Sequence, residues 1–214
     1  MKKMKSTITN MVVVLVAVAV VMGAILALVN EVTAAPIAAQ KEKTLADGIK
    51  RVMQSDDICV DETKDVTISV SDGKAYDFVV YETRSQSGEA LGAAVESSVS
   101  GFGGNLKVLA GFNPAGELLG YTILEHAETP GLGAKATTWF QADGKGNIIG
   151  RSLEGITLSV KQDGGDVDAI TASTITSRAF LKAINYAYAA FKGDAEIDAS
   201  SGASINNSTA VEEQ

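Results

Sequence analysis

Five hydroxyl side chains fall within seven positions, Thr171, Ser173, Thr174, Thr176 and Ser177, in the run Asp168-Ala169-Ile170-Thr171-Ala172-Ser173-Thr174-Ile175-Thr176-Ser177. The run lies between a strand-like segment and a helical pattern. One hydroxyl suffices to cap a helix, because its oxygen accepts a single free N–H of the first turn. Five suggest an anion site, where outward-pointing N–H groups and the helix dipole favour a phosphate and flanking hydroxyls add donors. Arg178 follows Thr174 by four residues, shares its helical face and would neutralise such a phosphate. The residues alone leave phosphate binding and plain capping both open.

A second polar and constrained stretch is Glu125-His126-Ala127-Glu128-Thr129-Pro130-Gly131-Leu132-Gly133-Ala134-Lys135. It ends a strand, turns at Pro-Gly and offers glycines that let backbone approach a ligand. Gly-Leu-Gly is only a fragment of a dinucleotide fingerprint, so it carries little weight for NAD. His126 and Glu128 alternate and would share a strand face. They are too few for a metal site, and the simplest reading of them is a solvated surface pair. The chain has one histidine and one cysteine, which rules out a multi-imidazole zinc site, an internal disulfide and a four-thiolate iron–sulfur cluster. Cys59 reads as a small buried apolar residue.

These stretches need elements to position them. Leu106–Phe112 and Leu118–Leu124 read as strands around Asn113-Pro114-Ala115-Gly116. Val66–Val70 and Tyr76–Tyr81 read as strands around Ser71-Asp72-Gly73-Lys74, where Asp-Gly signals a hairpin. Ile156–Val160 reads as a further strand closed by Gly164-Gly165. Arg178–Phe191 carries Phe180, Ile184, Tyr188 and Phe191 at helical spacing, and Lys41–Met53 carries Leu45, Ile49 and Val52 or Met53 on one face. The expectation is one α+β domain with a mainly antiparallel sheet and flanking helices.

Met11 to Val29 is a charge-free apolar stretch of 19 residues (MVVVLVAVAVVMGAILALV). A helix of roughly 20 apolar residues crosses the hydrocarbon core, whereas signal-peptide cores are usually shorter, roughly 7–15 residues. The segment therefore reads as a retained anchor. Lys2, Lys3 and Lys5 precede it and place the N-terminus in the cytoplasm and the domain on the outer face. The expected organisation is a cytoplasmic N-terminus at 1–10, a transmembrane helix at 11–29, a small-residue linker at 30–40, the domain at 41–193 and a flexible tail at 194–214. The net charge is −8, and beyond Asn30 the chain holds 15 basic and 26 acidic residues. An acidic domain repels phosphate backbones, so nucleic acid is excluded as a partner.

The two stretches together resemble the FMN-binding domain family, and within it the G subunits of Rnf-type ferredoxin:NAD oxidoreductases. The C subunit of the sodium-pumping NADH:quinone reductase is a more distant likeness. The family pattern Ser/Thr-Gly-Ala-Ser/Thr, then one residue, then Thr-Ser, stands here as Thr171-Ala172-Ser173-Thr174-Ile175-Thr176-Ser177, with Ala172 for the usual Gly and Ser173 for the usual Ala. The family's Glu-Thr-Pro-Gly-Leu-Gly is complete at Glu128–Gly133, and Ser100-Gly101-Phe102-Gly103-Gly104 resembles its glycine-rich entry into a strand.

The resemblance implies FMN held covalently through a phosphoester on Thr174. Thr171, Ala172, Ser173, Thr176, Ser177 and Arg178 would surround the phosphate, and His126, Glu128, Thr129, Gly131, Leu132 and Gly133 would line the flavin. Trp139 and Phe140 lie close by in sequence, as flavin neighbours or as plain core. The resemblance further implies an electron relay without a substrate pocket of its own, in a membrane complex coupling ferredoxin:NAD electron transfer to sodium or proton movement. Its partners would be the other membrane subunits and a flavin transferase, and its place a bacterial or archaeal cell (inner) membrane. The rival readings are an anchored non-redox scaffold or binding module and a reductase with loosely bound FMN.

Overall fold

The computed structural model describes residues 8–70, 74–193 and 196–197, the last pair as backbone. The chain forms two compact units, Met1–Leu45 and Ala46–Gln214. Helix α1 runs Ile8–Met53, with Pro36 inside it. Its apolar residues from Met11 to Val32 are exposed. It is the one helix among the described residues long and apolar enough to cross a membrane, with a best-window mean hydropathy of 3.2. The linker expected at 30–40 is helical instead. Ala34, Ala35, Ala38 and Ala39 are small, but alanine is also the strongest helix former, and its propensity prevails although Pro36 removes one backbone donor.

The second unit is a six-stranded sheet in the order β5-β4-β3-β2-β1-β6. The strands are β1 (Ile58–Val70), β2 (Ala75–Ser85), β3 (Ala90–Ser100), β4 (Asn105–Phe112), β5 (Leu118–His126) and β6 (Glu196–Ile197). Strands β1 to β5 pair antiparallel, and β6 adds a short parallel pairing at Ser69 and Val70. A short helix α2 (Ala136–Trp139) follows β5, and helix α3 (Thr174–Lys192) packs on β2, β3 and β4. This is the expected α+β architecture, with an N-terminal apolar helix ahead of it.

The core alternates along β4. Leu106, Val108, Ala110 and Phe112 join the main cluster with Phe180, Leu181, Ile184 and Tyr186 of α3. Leu109 and Gly111 face the other side, as the period of two requires. There the end of α1 buries Ile49, Val52 and Met53. Gly111 pairs with Gly120 across β4 and β5, and a Cβ on Gly111 would come within 2.5 Å of the Val52 carbonyl oxygen. This pair of glycines lets the helix backbone sit on the sheet. Phe140 stacks on Phe180 with centroids 4.5 Å apart, so it belongs to the core. Tyr121 donates to the Ala136 carbonyl at 2.7 Å and accepts the Phe140 N–H at 3.2 Å.

Four further expectations change. Ile156–Val160 forms no strand. Only Val160 makes an isolated bridge, to Val167, and the Asn185 side chain on α3 satisfies both the N–H and the carbonyl of Leu158 in place of a strand partner. Cys59 is exposed, because Cys59–Asp65 of β1 all lie open to solvent beyond the cover of the helices. The tail expected to be loose contributes β6. Finally, β3 was not marked by its sequence and proves to be a central strand. The hairpin turn at 71–73, the lysines at 2, 3 and 5, and the tail apart from 196–197 lie outside the described residues.

On its outer side β1 meets only β6, at Ser69 and Val70, among the described residues. The rest of that edge carries Asp61, Glu62, Lys64 and Asp65. Lys64 pairs with Glu62 and Glu82, and Asp61 with Arg84.

Candidate flavin site

Helix α3 begins at Thr174, four residues before the expected start. Its N-cap, Ser173, makes no side-chain cap hydrogen bond. The first-turn N–H groups are therefore left for another acceptor. Three of the five hydroxyls, those of Ser173, Thr176 and Ser177, make other hydrogen bonds. Ser177 accepts the Ile170 N–H at 2.9 Å and donates to the Ser173 carbonyl at 3.0 Å, stapling the preceding loop to the helix. Thr176 donates to Glu128 Oε2 at 2.7 Å, and its oxygen lies 3.0 Å from Ser173 Oγ. The Thr174 hydroxyl makes no hydrogen bond to the described residues, and the residue is half-buried. Thr171 and Ala172 are exposed.

Glu128 is not a surface residue. It is 6% exposed, and its carboxylate ties together three segments. Oε1 accepts the N–H of Phe102 at 2.8 Å and of Gly103 at 3.2 Å. Oε2 accepts the Thr176 hydroxyl. Gly133 closes over the same atoms: a Cβ there would lie 2.3 Å from Oε2 and 2.8 Å from Thr176 Oγ1. Sequence reasoning missed this knot because Glu128 meets partners about 25 and 48 residues away. A carboxylate beside a Pro-Gly turn was its only local signal. Phe102, Leu132 and Ile175, each at or next to a residue of the knot, remain exposed at 68%, 42% and 55%.

Other candidates stand apart. His126 Nδ1 accepts the Glu128 N–H at 3.3 Å. Arg178 does not face a vacant anion site. Its guanidinium grips Asp163 at 2.6 and 2.7 Å and holds that carboxyl below the usual carboxylate range. Lys161 pairs with Asp168. Trp139 Nε1 donates to the Asp168 carbonyl at 2.7 Å, fixing the start of the hydroxyl run. The carbonyl of Thr129 accepts the N–H of Leu132 and of Ala134, shaping the Pro-Gly turn in which Gly131 has φ +78°.

The FMN-binding domain family matches residues 101–189, and the RnfG N-terminal region matches residues 1–52. The G subunit of the ion-translocating oxidoreductase complex of Shewanella piezotolerans is 32% identical over 176 residues, 76% of this chain and 79% of that protein. This chain belongs to the family of G subunits of ion-translocating oxidoreductase complexes. A second family member, the G subunit of the Na(+)-translocating ferredoxin:NAD(+) oxidoreductase complex of Acetobacterium woodii, is 36% identical over 99 residues, 46% of this chain and 48% of that protein. The crystal structure of Shewanella oneidensis NqrC superposes with a TM-score of 0.53 over 73% of this chain and all of that one. At 17% identity it speaks for the fold alone.

The family's domain is FMN-binding, and the site's residues fit that group. A helix start without a side-chain cap suits a phosphate, an unengaged hydroxyl suits an ester, and exposed apolar side chains suit a ring. Where the family's usual glycine would stand, Ala172 holds φ +61°. A non-glycine residue there costs roughly 1–2 kcal/mol. Ala172→Gly is expected to raise stability by about 0.5–1 kcal/mol, once the entropy glycine adds to the unfolded chain, roughly 0.4–1 kcal/mol, is subtracted. Urea denaturation of the two proteins checks it, and an unchanged or lower midpoint would refute it.

Proposed function

We propose that this chain carries FMN as a phosphoester on Thr174 and relays electrons in a membrane complex. The complex couples ferredoxin:NAD electron transfer to sodium-ion or proton translocation. The observation that carries this reading is the start of α3. Thr176, Ser177 and Ser173 are engaged in hydrogen bonds, while Thr174 presents an unengaged, half-buried hydroxyl on an uncapped first turn. Thr171 is the other unengaged hydroxyl, but it is exposed on the loop outside the helix.

FMN, when bound, takes up two electrons and can release them singly. The chain's own residues would hold it. First-turn N–H groups receive the phosphate, the Glu128 knot fixes the loops around it, and Leu132 with Phe102 and Ile175 offers apolar contact to the ring. A covalent link keeps a ligand on a site open to solvent. The anchor at 11–29 attaches the domain to the membrane, and the lysines at 2, 3 and 5 favour a cytoplasmic N-terminus and hence an extracytoplasmic flavin. A flavin transferase would install the group, and the other subunits of the complex would be its electron partners.

The test is intact mass and ultraviolet in-gel fluorescence on denatured protein made with an active flavin transferase. A fluorescent band heavier by one FMN less one water is expected. A dark band at the bare chain mass would overturn the reading and leave an anchored scaffold. Colour lost on denaturation would point to loosely bound FMN.

A further inference from the structure

Glu128 is the least explained group in the site. Its carboxylate is buried, accepts from three donors and donates to none. No cation pairs with it among the described residues. Two nearby cations are engaged elsewhere, Arg178 with Asp163 and Lys161 with Asp168. As a latch between loops, the position does not need a charge. A glutamine would present one oxygen to the Phe102 and Gly103 N–H groups and its amide to Thr176 Oγ1, which can accept as well as donate. Burying an unpaired carboxylate is costly even when it is hydrogen-bonded. A negative charge in a low-dielectric setting also acts strongly on charge placed nearby.

The charge is hydrogen-bonded to the turn that bears Thr174. Thr176, two residues on, donates directly to Glu128, and Ser173 lies 3.0 Å from the Thr176 oxygen. We propose that Glu128 sets the reduction potential of the group carried on Thr174, its buried negative charge holding that potential low. This inference rests on the reading of Thr174 as the flavin bearer. Reduction adds two electrons to FMN. Where one proton accompanies them, the reduced ring carries a net negative charge that the fixed carboxylate opposes. The oxidised form is favoured, so the reduced group gives up its electrons more readily. Glu128 is thus a positioning and tuning residue that reaches the phosphate-bearing turn through Thr176.

Two variants of the full-length chain, made with flavin transferase and held in detergent, test this by dithionite titration against reference dyes. Glu128→Gln keeps the shape and removes the charge. At a fixed potential the reduced-to-oxidised ratio should rise at least tenfold, a midpoint shift of about 30 mV upward for a two-electron couple. Thr176→Val keeps the charge and removes one of the donors that spread it, so the midpoint should move down. The opposed signs separate charge from loosening, since a merely structural role would move both variants alike. Coincident midpoints for native protein and Glu128→Gln, or an upward shift in Thr176→Val, would overturn the proposal. If Glu128→Gln does not fold, the sign of the Thr176→Val shift still decides. Covalent fluorescence in all three proteins with equal potentials would defeat this inference alone. Absence of covalent flavin from the native chain would defeat the function reading and this inference with it.

Discussion

Thr174→Val should carry no covalent flavin while the domain stays folded. Valine is nearly isosteric with threonine, and the hydroxyl it removes makes no hydrogen bond to the described residues, so folding loses little. The neighbouring hydroxyls are poor substitutes. Ser177 is buried with both partners satisfied, and Thr176 is buried against Glu128. The expected result in denatured protein is complete loss of in-gel fluorescence and a return to the bare chain mass, with an unchanged far-ultraviolet circular dichroism spectrum. Flavin surviving denaturation in this variant would move the ester elsewhere, and peptide mapping would then distinguish Ser173 from Thr171.

The second large effect is on stability. Gly133→Val should destabilise the domain by about 3 kcal/mol, combining overpacking with the loss of hydrogen bonds to a buried charge. Its Cβ would sit 2.3 Å from Glu128 Oε2 and 3.0 Å from Glu128 Cβ, and the carboxylate cannot retreat without releasing Phe102, Gly103 and Thr176. Gly131, two residues earlier, is the control. Nothing lies within 4 Å of a Cβ there, so Gly131→Ala should cost only the left-handed backbone term, roughly 1–2 kcal/mol. Guanidinium unfolding of the three proteins measures both values. Equal losses at the two glycines would mean that the knot contributes little to stability.

Legibility in the sequence followed how local each signal was. The helix of α3 was readable because Phe180, Ile184 and Tyr188 recur on one face, and the pair β4 and β5 because a turn with Pro and Gly separates two apolar runs. Strand β3 was not, since Ala90–Ser100 is rich in Ala, Gly and Ser. As a central strand it buries Ala93, Ala94 and Val95 in succession on both faces, which erases the alternation that marks a half-exposed strand. Ile156–Val160 misled for the opposite reason: apolar Ile156, Leu158 and Val160 alternate with Thr157 and Ser159, yet the Asn185 side chain from α3 satisfies the Leu158 backbone. At the site, the hydroxyl cluster and the Pro-Gly turn were visible as chemistry. Their joining through Glu128 was not, because no local pattern announces a carboxylate whose partners lie on distant loops. Arg178 fits the spacing for a phosphate ligand but is claimed by Asp163, fifteen residues upstream.

The open side of β1 bears on how the protein behaves at high concentration. An unpaired strand edge is a template for another chain. Here Asp61, Glu62, Lys64 and Asp65 line it, and three of the four are acidic. Mutual repulsion between such edges keeps molecules apart at neutral pH. Salt screens that repulsion, over about 8 Å at physiological ionic strength and about 3 Å at 1 M. Colloidal stability of the domain is therefore tied to the charges on this edge, and concentrated salt would bring together edges that a dilute buffer separates.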